Sequence, residues 1–313
     1  MVVYTPLSLA EAAPALKGYA LGKVRELSQL AGGTTNSNFK LETDEGLYVL
    51  TLLEPAEEAA QISWLPAYLK HLEEHGLPVA TIVKTNSGKN SCAIKGKTAI
   101  VVPFLNGHEC APSPESAYKA GRALATLNLQ SADYPHKSPS PWGLEALKAK
   151  ILQAQTDAQS KETLITLNKE LEQITPQPDL PQGVTHTDLF PDNVLFAKGE
   201  VSGLIDFYKA GYDALAYDLA MGLVAWGFDE DSNIMPDTFK NFFAGYTSQR
   251  PLQPAEHQAM PMLLRRACCC IALMRTLRSQ MLEKSDIKPR SPAAYIKRLA
   301  FFKQTNWENI ING

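Results

Sequence analysis

Hydrophobic and polar residues in the first hundred positions alternate mainly with the two-residue period of β-strands. A polar, glycine-containing segment from Ala31 to Asn38 precedes two such runs, and the sequence Thr43-Asp44-Glu45-Gly46 between them is typical of a turn. We therefore predict a β-hairpin that follows a flexible loop. The predicted elements of this part are strands at Phe39–Glu42, Leu47–Leu53, Ala80–Lys84 and Thr98–Leu105, and a helix at Ile62–His75.

The hydrophobic period changes to that of amphipathic helices after Asn106-Gly107. The last third of the chain, from Tyr217 onward, is also helical in pattern, with breaks marked by proline. These patterns predict an α+β fold with a small β-rich lobe over residues 1–104 and a larger, mainly helical lobe over residues 105–313. The helices predicted between Gly107 and Tyr217 are Ser116–Leu129, Leu144–Ala154 and Glu162–Ile174.

Composition then narrows the classes of function. The 313 residues carry 30 Lys and Arg against 33 Asp and Glu, a balance that does not indicate a nucleic-acid partner or an anionic membrane surface. The five cysteines lack the spacing of a disulfide framework or a zinc site, and we expect the consecutive Cys268, Cys269 and Cys270 to be buried. No apolar run reaches the roughly 20 residues of a membrane span. We expect a cytoplasmic protein with no membrane association, and its oligomeric state stays open.

The most informative segment for chemistry covers residues 184–207. Two short apolar runs around a turn at Lys198–Glu200 predict an antiparallel hairpin, with Asn193 and Asp206 at its open end. Amide and carboxylate oxygens are hard ligands of the kind that Mg²⁺ takes together with water and phosphate oxygens. Asp188 lies on the loop entering this site, where it could accept the proton of an attacking hydroxyl group. The segment therefore predicts a site for phosphoryl transfer.

The alternative interpretation is that His186 and Asp188 are ordinary surface-loop residues and that Asn193 caps a turn. The spacing His-x-Asp-x-x-x-x-Asn arises by chance in about one sequence in a hundred of this length and composition. The hairpin that ends in Asp206 lowers that frequency further. We therefore favour the functional interpretation.

At these residues the sequence resembles the aminoglycoside phosphotransferase and choline kinase superfamily, and the likeness covers nearly the whole chain. The resemblance implies the two-lobed fold of the protein kinases and the use of ATP and Mg²⁺. It implies that Asp188 is the catalytic base, that His186 braces the loop, and that Asn193 and Asp206 hold Mg²⁺. The nucleotide-binding residues that it implies are Gly32, Gly33, Thr34, Asn36, Ser37 and Asn38 over the phosphates, and a hinge at Val102–Leu105, with Pro103, Phe104 and Leu105, for adenine.

Within this superfamily the sequence is most similar to those of the bacterial homoserine kinases. The matching segments are His186–Phe196, Ile205–Tyr208, Tyr217–Ala220 with Trp226, Met1–Leu7, Asn36–Phe39 and Tyr48–Leu52. The resemblance implies that the acceptor is L-homoserine, a small amino acid with a primary hydroxyl group, phosphorylated in threonine biosynthesis. The alternative acceptors in the same superfamily are choline or ethanolamine, an aminoglycoside, methylthioribose or another hydroxy amino acid.

Three positions differ from the superfamily or family pattern. Thr51 occupies the strand position where most of the superfamily has a phosphate-binding lysine. The homoserine kinases resemble this chain in having threonine there, so Thr51 favours that family but leaves the phosphate partner unassigned. Lys40 on the neighbouring strand is a candidate replacement that could equally be a solvated strand residue. Val224-Ala225 stands where the homoserine kinases have an Asn-Asp pair, and Ile271-Ala272 where they have an aromatic pair. Substrate identity is therefore less closely determined than the type of reaction.

An amino-acid substrate calls for an acid to bind its ammonium and an arginine to grip its carboxylate. Tyr208 and Asp213 follow Asp206 closely enough to line the same cleft, and Arg265 and Arg275 lie on one predicted helix. We predict that Asp213 binds the ammonium and that one of these arginines binds the carboxylate. The alternative for the arginines is pairing with surface acids. For Asp218 the alternative to a ligand is a helix N-cap, and for Trp226 the alternative to a pocket wall is the hydrophobic core.

A protein that has kept the fold as a silent binding module is the remaining alternative. The presence of Asp188, Asn193 and Asp206 together argues for catalysis, because a scaffold needs neither a base nor metal ligands.

Overall fold

The computed structural model describes residues 5–30, 35–154, 157, 160–177, 179–282 and 289–313. The chain divides into two compact units. The smaller unit comprises Met1–His108 with Ser202–Tyr208, and the larger unit comprises Glu109–Val201 with Lys209–Gly313. The predicted division after residue 104 lies four residues before the first of these boundaries, and it did not include the segment at 202–208 that belongs with the smaller unit.

The smaller unit is built on a five-stranded sheet with strand order β1-β2-β3-β5-β4. The predicted hairpin is confirmed, because β2 and β3 pair in antiparallel register from Ser37 opposite Leu52 to Thr43 opposite Gly46. Helix α1 packs its apolar side on the sheet through Ala12 and Leu16. The elements are α1 Leu9–Leu16, β1 Val24–Gln29, β2 Ser37–Thr43, β3 Gly46–Leu53, α2 Ala56–Gln61, α3 Leu65–Glu74, β4 Cys92–Ile94 and β5 Lys97–Pro103.

The prediction of a strand at Ala80–Lys84 is wrong. Val83 donates one backbone hydrogen bond to Val101 O, at 2.8 Å, and Val79 forms a single bridge with Leu204. These isolated contacts hold the segment in place without forming a ladder of paired residues. The predicted helix at 62–75 is confirmed as α3, whereas α1, α2, β1 and β4 were not predicted.

The larger unit is mainly helical. The predicted helices at 116–129, 144–154 and 162–174 are confirmed within a few residues, and strands β7 and β10 form an antiparallel pair that the sequence pattern did not indicate. Its elements are α4 Pro114–Ser131, α5 Leu144–Gln153, α6 Lys161–Glu172, β7 Gln182–Thr185, β8 Val194–Ala197, β10 Gly211–Ala214, α7 Leu215–Trp226, α8 Pro236–Thr247, α9 Pro254–Leu282, α10 Ala293–Gln304 and α11 Trp307–Asn312; at its boundaries lie β6 His108–Glu109 and β9 Glu200–Leu204.

Close helix packing forms the core of the larger unit. All residues of α7 are buried, as expected for a helix that is apolar on every side. Helices α4 and α8 approach so closely that a Cβ atom at Gly245 would lie 2.0 Å from Tyr118 O, and one at Gly121 would lie 2.2 Å from Phe242 O. Glycine is required at both positions because any side chain would separate the two backbones. No helix among the described residues is both long enough and apolar enough to cross a membrane.

The predicted hairpin around residues 198–200 is confirmed, since β8 and β9 are neighbouring strands of one sheet. Lys198 and Gly199 have φ angles of 52° and 80°, the left-handed values of a two-residue hairpin turn. Asn193 lies immediately before β8, at the end of a short 3₁₀ helix over Pro191–Asn193. Asp206 follows β9 by two residues.

Candidate active site

The loop from His186 to Asn193 is held in place by a buried carboxylate. The Oδ2 atom of Asp218 accepts from His186 N at 2.9 Å, and its Oδ1 atom accepts from Thr187 N at 2.8 Å. Asn128 adds a third hydrogen bond by donating from Nδ2 to Oδ2 at 2.9 Å. Burial raises the pKa of Asp218 from 3.8 to about 6, although these three donors favour the charged form. The loop therefore depends on a carboxylate with a strongly perturbed pKa.

The alternative in which Asp218 caps its own helix is wrong. The N-cap residue of α7 is Ala214, which provides no side-chain hydrogen bond, and Asp218 lies inside the first turn. Its carboxylate satisfies backbone donors of another segment, the His186–Asn193 loop. For Trp226 the structure favours the core, because the residue is fully buried and its Nε1 atom donates to Leu189 O at 2.9 Å.

Asp188, the predicted base, lies between an amide and a lysine. Asn193 donates from Nδ2 to Asp188 O at 2.7 Å, and the same nitrogen lies 3.4 Å from Asp188 Oδ2. Lys209 forms an ion pair with that oxygen, with Nζ 2.5 Å from Oδ2. Both partners are nearly buried, with side-chain exposures of 10 % for Lys209 and 9 % for Asp188. The carboxylate is thus fixed on both sides.

The backbone around Asp188 is also constrained. Thr187 has a φ angle of 59°, a left-handed conformation that is uncommon for a β-branched residue. Its hydroxyl group compensates by donating to Lys209 O at 2.8 Å. His186 is fully buried, and its Nδ1 atom accepts from Asp188 N at 3.2 Å. This contact agrees with the predicted bracing role of His186, which stays a prediction.

The larger unit has a second ion pair, between Asp213 and Arg266. Arg266 Nη1 donates to Asp213 Oδ1 at 3.0 Å, and Nη2 pairs with Oδ2, so both carboxylate oxygens are engaged. The guanidinium group lies 3.7 Å from the ring centre of Tyr217. Arg266 Nε is buried without a hydrogen-bond partner in the part of the chain that the structure describes. Asp213, predicted to bind an ammonium group, therefore faces an arginine that the sequence did not single out.

The two arginines that were predicted to bind a carboxylate have protein partners. Arg265 Nη1 lies 3.2 Å from Oε1 of the buried Glu170. Arg275 donates from Nη1 to Ser291 O at 3.0 Å, and its guanidinium group lies 4.5 Å from the ring centre of Tyr295. Helix α9 thus directs Arg266, rather than its neighbour Arg265, toward Asp213.

Cys270 lies within range of charges from both ion pairs, Asp188–Lys209 and Asp213–Arg266. The three consecutive cysteines are fully buried, as predicted, and burial raises the pKa of the Cys270 thiol to about 11. The charges of Arg266, Asp188 and Lys209 all act on this thiol. Cys270 is therefore close enough to Arg266, Asp188 and Lys209 for their charges to affect the pKa of its thiol.

Asp206 and Tyr208 belong to the smaller unit. Asp206 has a φ angle of 68°, a left-handed conformation of the kind that occurs at functional positions. Burial raises the pKa of the Tyr208 hydroxyl above its ordinary value, and the charge of Asp206 raises it further. Tyr208 also forms a hydrogen bond with the side chain of Thr51. The predicted roles of Asp206 in metal binding and of Tyr208 in substrate binding stay predictions.

The sequence-predicted phosphate-binding segment is partly described. Gly32, Gly33 and Thr34 lie outside the described residues. Asn36 donates from Nδ2 to Glu58 Oε2 at 2.6 Å, and Ser37 donates from Oγ to Glu54 Oε1 at 2.7 Å. Asn38 Oδ1 accepts from Thr51 Oγ1 at 2.7 Å. These side chains fix β2 against its neighbours, and their contact with nucleotide stays a prediction.

The predicted hinge follows strand β5, which pairs with β3 and β4. Pro103 ends β5, and Phe104 N donates to Leu47 O at 3.0 Å, so the hinge begins as a continuation of the β3–β5 pairing. The roles of Pro103, Phe104 and Leu105 in binding adenine stay predictions.

The fit of Asn193 to a metal ion can be judged from its hydrogen bonds. Its amide nitrogen is committed to Asp188 O. The amide oxygen, Oδ1, is then the atom that Asn193 can offer to Mg²⁺ as a hard oxygen ligand. The donor chemistry of Asn193 and of the Asp206 carboxylate fits Mg²⁺.

Comparison with known proteins gives the family. Residues 26–252 match the family described as "Phosphotransferase enzyme family". The chain belongs to this family. The match spans both the hairpin of the smaller unit and the His186–Asn193 loop, so it includes the elements on which the sequence prediction of phosphoryl transfer was based.

Relatives of this phosphotransferase extend over nearly its full length. It is 37 % identical to a homoserine kinase of Methylobacterium radiotolerans over 311 residues, which cover 97 % of each chain. It is 38 % identical to a homoserine kinase of Methylocella silvestris over 307 residues, which cover 96 % of this chain and 95 % of the relative. The predicted resemblance to the bacterial homoserine kinases is confirmed.

Solved structures of phosphotransferases share the fold. An amicoumacin kinase in complex with AMP-PNP, Ca²⁺ and Ami superposes with a TM-score of 0.64 at 18 % identity, covering 96 % of this chain and 92 % of that one. A spectinomycin phosphotransferase in complex with ADP and spectinomycin gives a TM-score of 0.62 at 13 % identity, covering 98 % of both chains. The predicted α+β, protein-kinase-like fold is confirmed.

Two residues of this phosphotransferase site were missed by sequence analysis. Lys209 follows the motif around Asp206 by three positions, and Arg266 adjoins the predicted Arg265. The signal for Lys209 was a lysine in a mainly apolar stretch from Leu204 to Ala216, between the predicted site residues Asp206 and Asp213. For Arg266 the signal was one of spacing, since Arg266 and Cys270 are four residues apart and lie on the same side of a helix.

Proposed function

We propose that this protein is a homoserine kinase, which transfers the terminal phosphoryl group of ATP to the hydroxyl group of L-homoserine. The observation that carries this proposal is the similarity to homoserine kinases over 97 % of both chains, at 37 % identity. A match that complete includes the substrate-binding part of the relative as well as its nucleotide-binding part.

Asp188 is the residue that receives the proton of the acceptor hydroxyl group. As the hydroxyl oxygen forms a bond to the terminal phosphorus, the bond from that phosphorus to the bridging oxygen breaks, and ADP leaves with the electron pair. The hydroxyl proton passes to a carboxylate oxygen of Asp188. Lys209 holds this carboxylate through their ion pair, and Asn193 holds the main-chain oxygen of the same residue, at the distances given above. Fixed geometry matters because positioning and electrostatic stabilisation provide most of the catalysis in phosphoryl transfer.

Asn193 and Asp206 are the residues that would hold Mg²⁺. Asn193 offers its amide oxygen, since its nitrogen is bound to Asp188 O. When bound, Mg²⁺ neutralises charge on the phosphate oxygens. The nucleotide would be received by the segment at residues 32–38 and by the hinge at Pro103–Leu105.

The substrate is recognised by the pair Asp213–Arg266, together with Tyr208. Homoserine carries an ammonium and a carboxylate on one carbon, and the pair presents the complementary charges, gathered at one place and largely buried. Arg266 Nε, which is buried without a partner in the described part of the chain, offers a donor for the carboxylate. We prefer Arg266 to the predicted Arg265 and Arg275 because those two side chains are engaged elsewhere.

We place the protein in the cytoplasm on the basis of its cysteines. All five thiols are free, including the buried Cys268, Cys269 and Cys270. Unpaired cysteines are typical of a reducing compartment.

The decisive experiment measures ADP release from Mg-ATP by the purified protein with a panel of acceptors. The panel contains L-homoserine, L-serine, L-threonine, choline, methylthioribose and kanamycin. We expect saturable turnover on L-homoserine. Turnover on another compound, without turnover on homoserine, would contradict the proposed acceptor and would mean that Val224-Ala225 and Ile271-Ala272 belong to a differently shaped pocket.

A further inference from the structure

We infer that Lys209 binds the phosphoryl group during its transfer, from a position beside Asp188. The inference rests on the proposed transfer from ATP but not on the identity of the acceptor. Most of the superfamily binds phosphate with a lysine at the strand position of Thr51. The inference gives this positive charge to Lys209 instead.

The first support is the location of the ammonium group. Lys209 Nζ lies 2.5 Å from Oδ2 of the base Asp188, and its side chain is only 10 % exposed. Burying a lysine requires the loss of its hydration, and a single ion pair often fails to compensate for that loss. An ammonium group also weakens a neighbouring carboxylate as a proton acceptor. A lysine at this position is therefore unfavourable for a base alone, but favourable where an anionic group must be bound next to that base.

The second support is the chemistry of the reaction. Phosphoryl transfer passes through a loose transition state with negative charge on the phosphoryl oxygens, and it places little demand on the strength of the base. Preorganised positive charge is then the larger contribution to catalysis. Lys209 keeps its proton throughout and acts by charge and hydrogen bonding.

The third support is the rigidity of the segment that carries Lys209. The main-chain oxygen of Lys209 accepts from Thr187 Oγ1 at 2.8 Å, on the residue before Asp188. Strand β10 begins two residues later and pairs with β7, with Gly211 opposite Thr185. A Cβ atom at Gly211 would lie 2.3 Å from Ser140 Cα, which fixes this strand closely against its surroundings. Lys209 and Asp188 are consequently held by the same strand pair.

The fourth support comes from lysines of the smaller unit. Thr51 holds the strand position of the superfamily lysine, and its hydroxyl group donates to Asn38 Oδ1 at 2.7 Å. Lys40, the predicted candidate for replacement, pairs with Glu42 at 2.5 Å, and Lys97 on β5 pairs with Glu54 at 2.7 Å. Lys40 and Lys97 are thus paired with carboxylates that have no proposed part in the transfer, whereas Lys209 is paired with the carboxylate of the proposed base.

The test measures binding of ADP with Mg²⁺ and aluminium fluoride, a planar mimic of the phosphoryl group in transfer, by titration calorimetry. We expect Lys209→Met to weaken binding of the fluoride complex by about tenfold or more and that of ADP alone by less than about twofold. Lys209→Arg should recover part of the loss because it restores the charge. Lys148→Met is the matched control, since Lys148 lies on α5 of the same unit and pairs with the exposed Glu145 at 3.7 Å, and it should leave both affinities unchanged.

A purely structural role for Lys209, neutralising Asp188, is tested by repeating the measurement in an Asp188→Asn background. If neutralisation were the whole role, Lys209→Met would have no effect once the carboxylate is removed, and that result would overturn the inference. We expect the tenfold loss to persist. Should Lys209→Met not fold, Lys209→Gln replaces it. No acceptor is present in this assay, so its result can be interpreted even if L-homoserine proves not to be the substrate.

Discussion

Arg266 engages both carboxylate oxygens of Asp213 while its guanidinium plane packs against the ring of Tyr217, 3.7 Å from the ring centre. The arrangement fixes one positive and one negative group side by side in a nearly buried place, with side-chain exposures of 6 % and 13 %. We propose that a zwitterionic amino acid binds there by exchanging the internal pair for two intermolecular pairs. On that proposal, the pair neutralises a buried charge in the free protein and favours a substrate that carries both signs.

The first prediction concerns this pair. Arg266→Lys retains the charge but loses the two-point contact, so we expect KM for L-homoserine to rise by about 10- to 100-fold while KM for ATP changes by less than about threefold. Steady-state kinetics with each substrate varied in turn will measure both constants. Arg265→Lys is the control on the neighbouring residue, whose side chain pairs with Glu170. If Arg265→Lys raised KM for L-homoserine more than Arg266→Lys does, Arg265 rather than Arg266 would bind the substrate carboxylate.

The second prediction concerns Asp188. We expect Asp188→Ala to lower kcat by at least about a thousandfold, because neither the proton acceptor nor the fixed partner of Lys209 would remain. Nucleotide affinity, measured by titration calorimetry, should survive. Asp192→Ala serves as the control on the same loop, since its carboxylate is 38 % exposed and lies 3.7 Å from Arg290. A loss of less than about tenfold for Asp188→Ala, or under about 1.4 kcal/mol of barrier, would show that Asp188 is not the base.

Sequence patterns predicted the elements that are determined by local periodicity. The β2–β3 hairpin follows from alternation with a turn at Thr43–Gly46, and helices α4, α5 and α6 follow from their 3.6-residue period. Strand β4, with three residues, is too short to produce a period. The segment at 80–84 has a strand-like composition, but pairing requires a neighbour in register, and the fold provides only isolated contacts there.

The parts of the site that could not be predicted are the pairings between distant residues. Arg266 and Asp213 are separated by 53 positions along the chain. The spacing of Arg266 and Cys270 gives the side of the helix on which Arg266 lies, but not its partner. The pairing of Lys209 with Asp188, and that of Asp218 with the backbone of His186, depend likewise on how β7, β10 and α7 pack. The motif residues could be predicted because their spacing is itself the requirement of the chemistry.

The third prediction concerns the metal ion. Asn193→Ala removes the amide oxygen proposed to bind Mg²⁺ and the hydrogen bond from Nδ2 to Asp188 O. We expect the Mg²⁺ concentration for half-maximal activity to rise by about tenfold or more, since one ligand is lost. Activity measured over a series of free Mg²⁺ concentrations will show the shift. An unchanged half-maximal concentration with a reduced kcat would assign Asn193 to support of the loop alone.

The fourth prediction concerns pH and the buried carboxylate of Asp218. Burial raises its pKa from 3.8 to about 6, so between these values the folded protein binds a proton that the unfolded chain does not. The raised pKa therefore stabilises the folded protein fully below about pH 4, and this contribution is lost as the pH rises through about 6. We expect the stability of the wild type relative to Asp218→Asn to be greater at pH 5 than at pH 7, by about 1 kcal/mol. Urea unfolding at the two pH values will measure this difference.

The comparison with Asp218→Asn isolates one group, because the remaining titrating side chains are common to both proteins. Asp229→Asn is the control with the opposite sign, since hydrogen bonds from Asn233 lower the pKa of Asp229. Its contribution is lost only as the pH falls through that lowered pKa, so its effect should be the same at pH 5 and pH 7. If the wild type instead gained stability over Asp218→Asn toward pH 7, the hydrogen bonds from His186, Thr187 and Asn128 would outweigh burial, and the carboxylate would hold the loop in its charged form at both pH values.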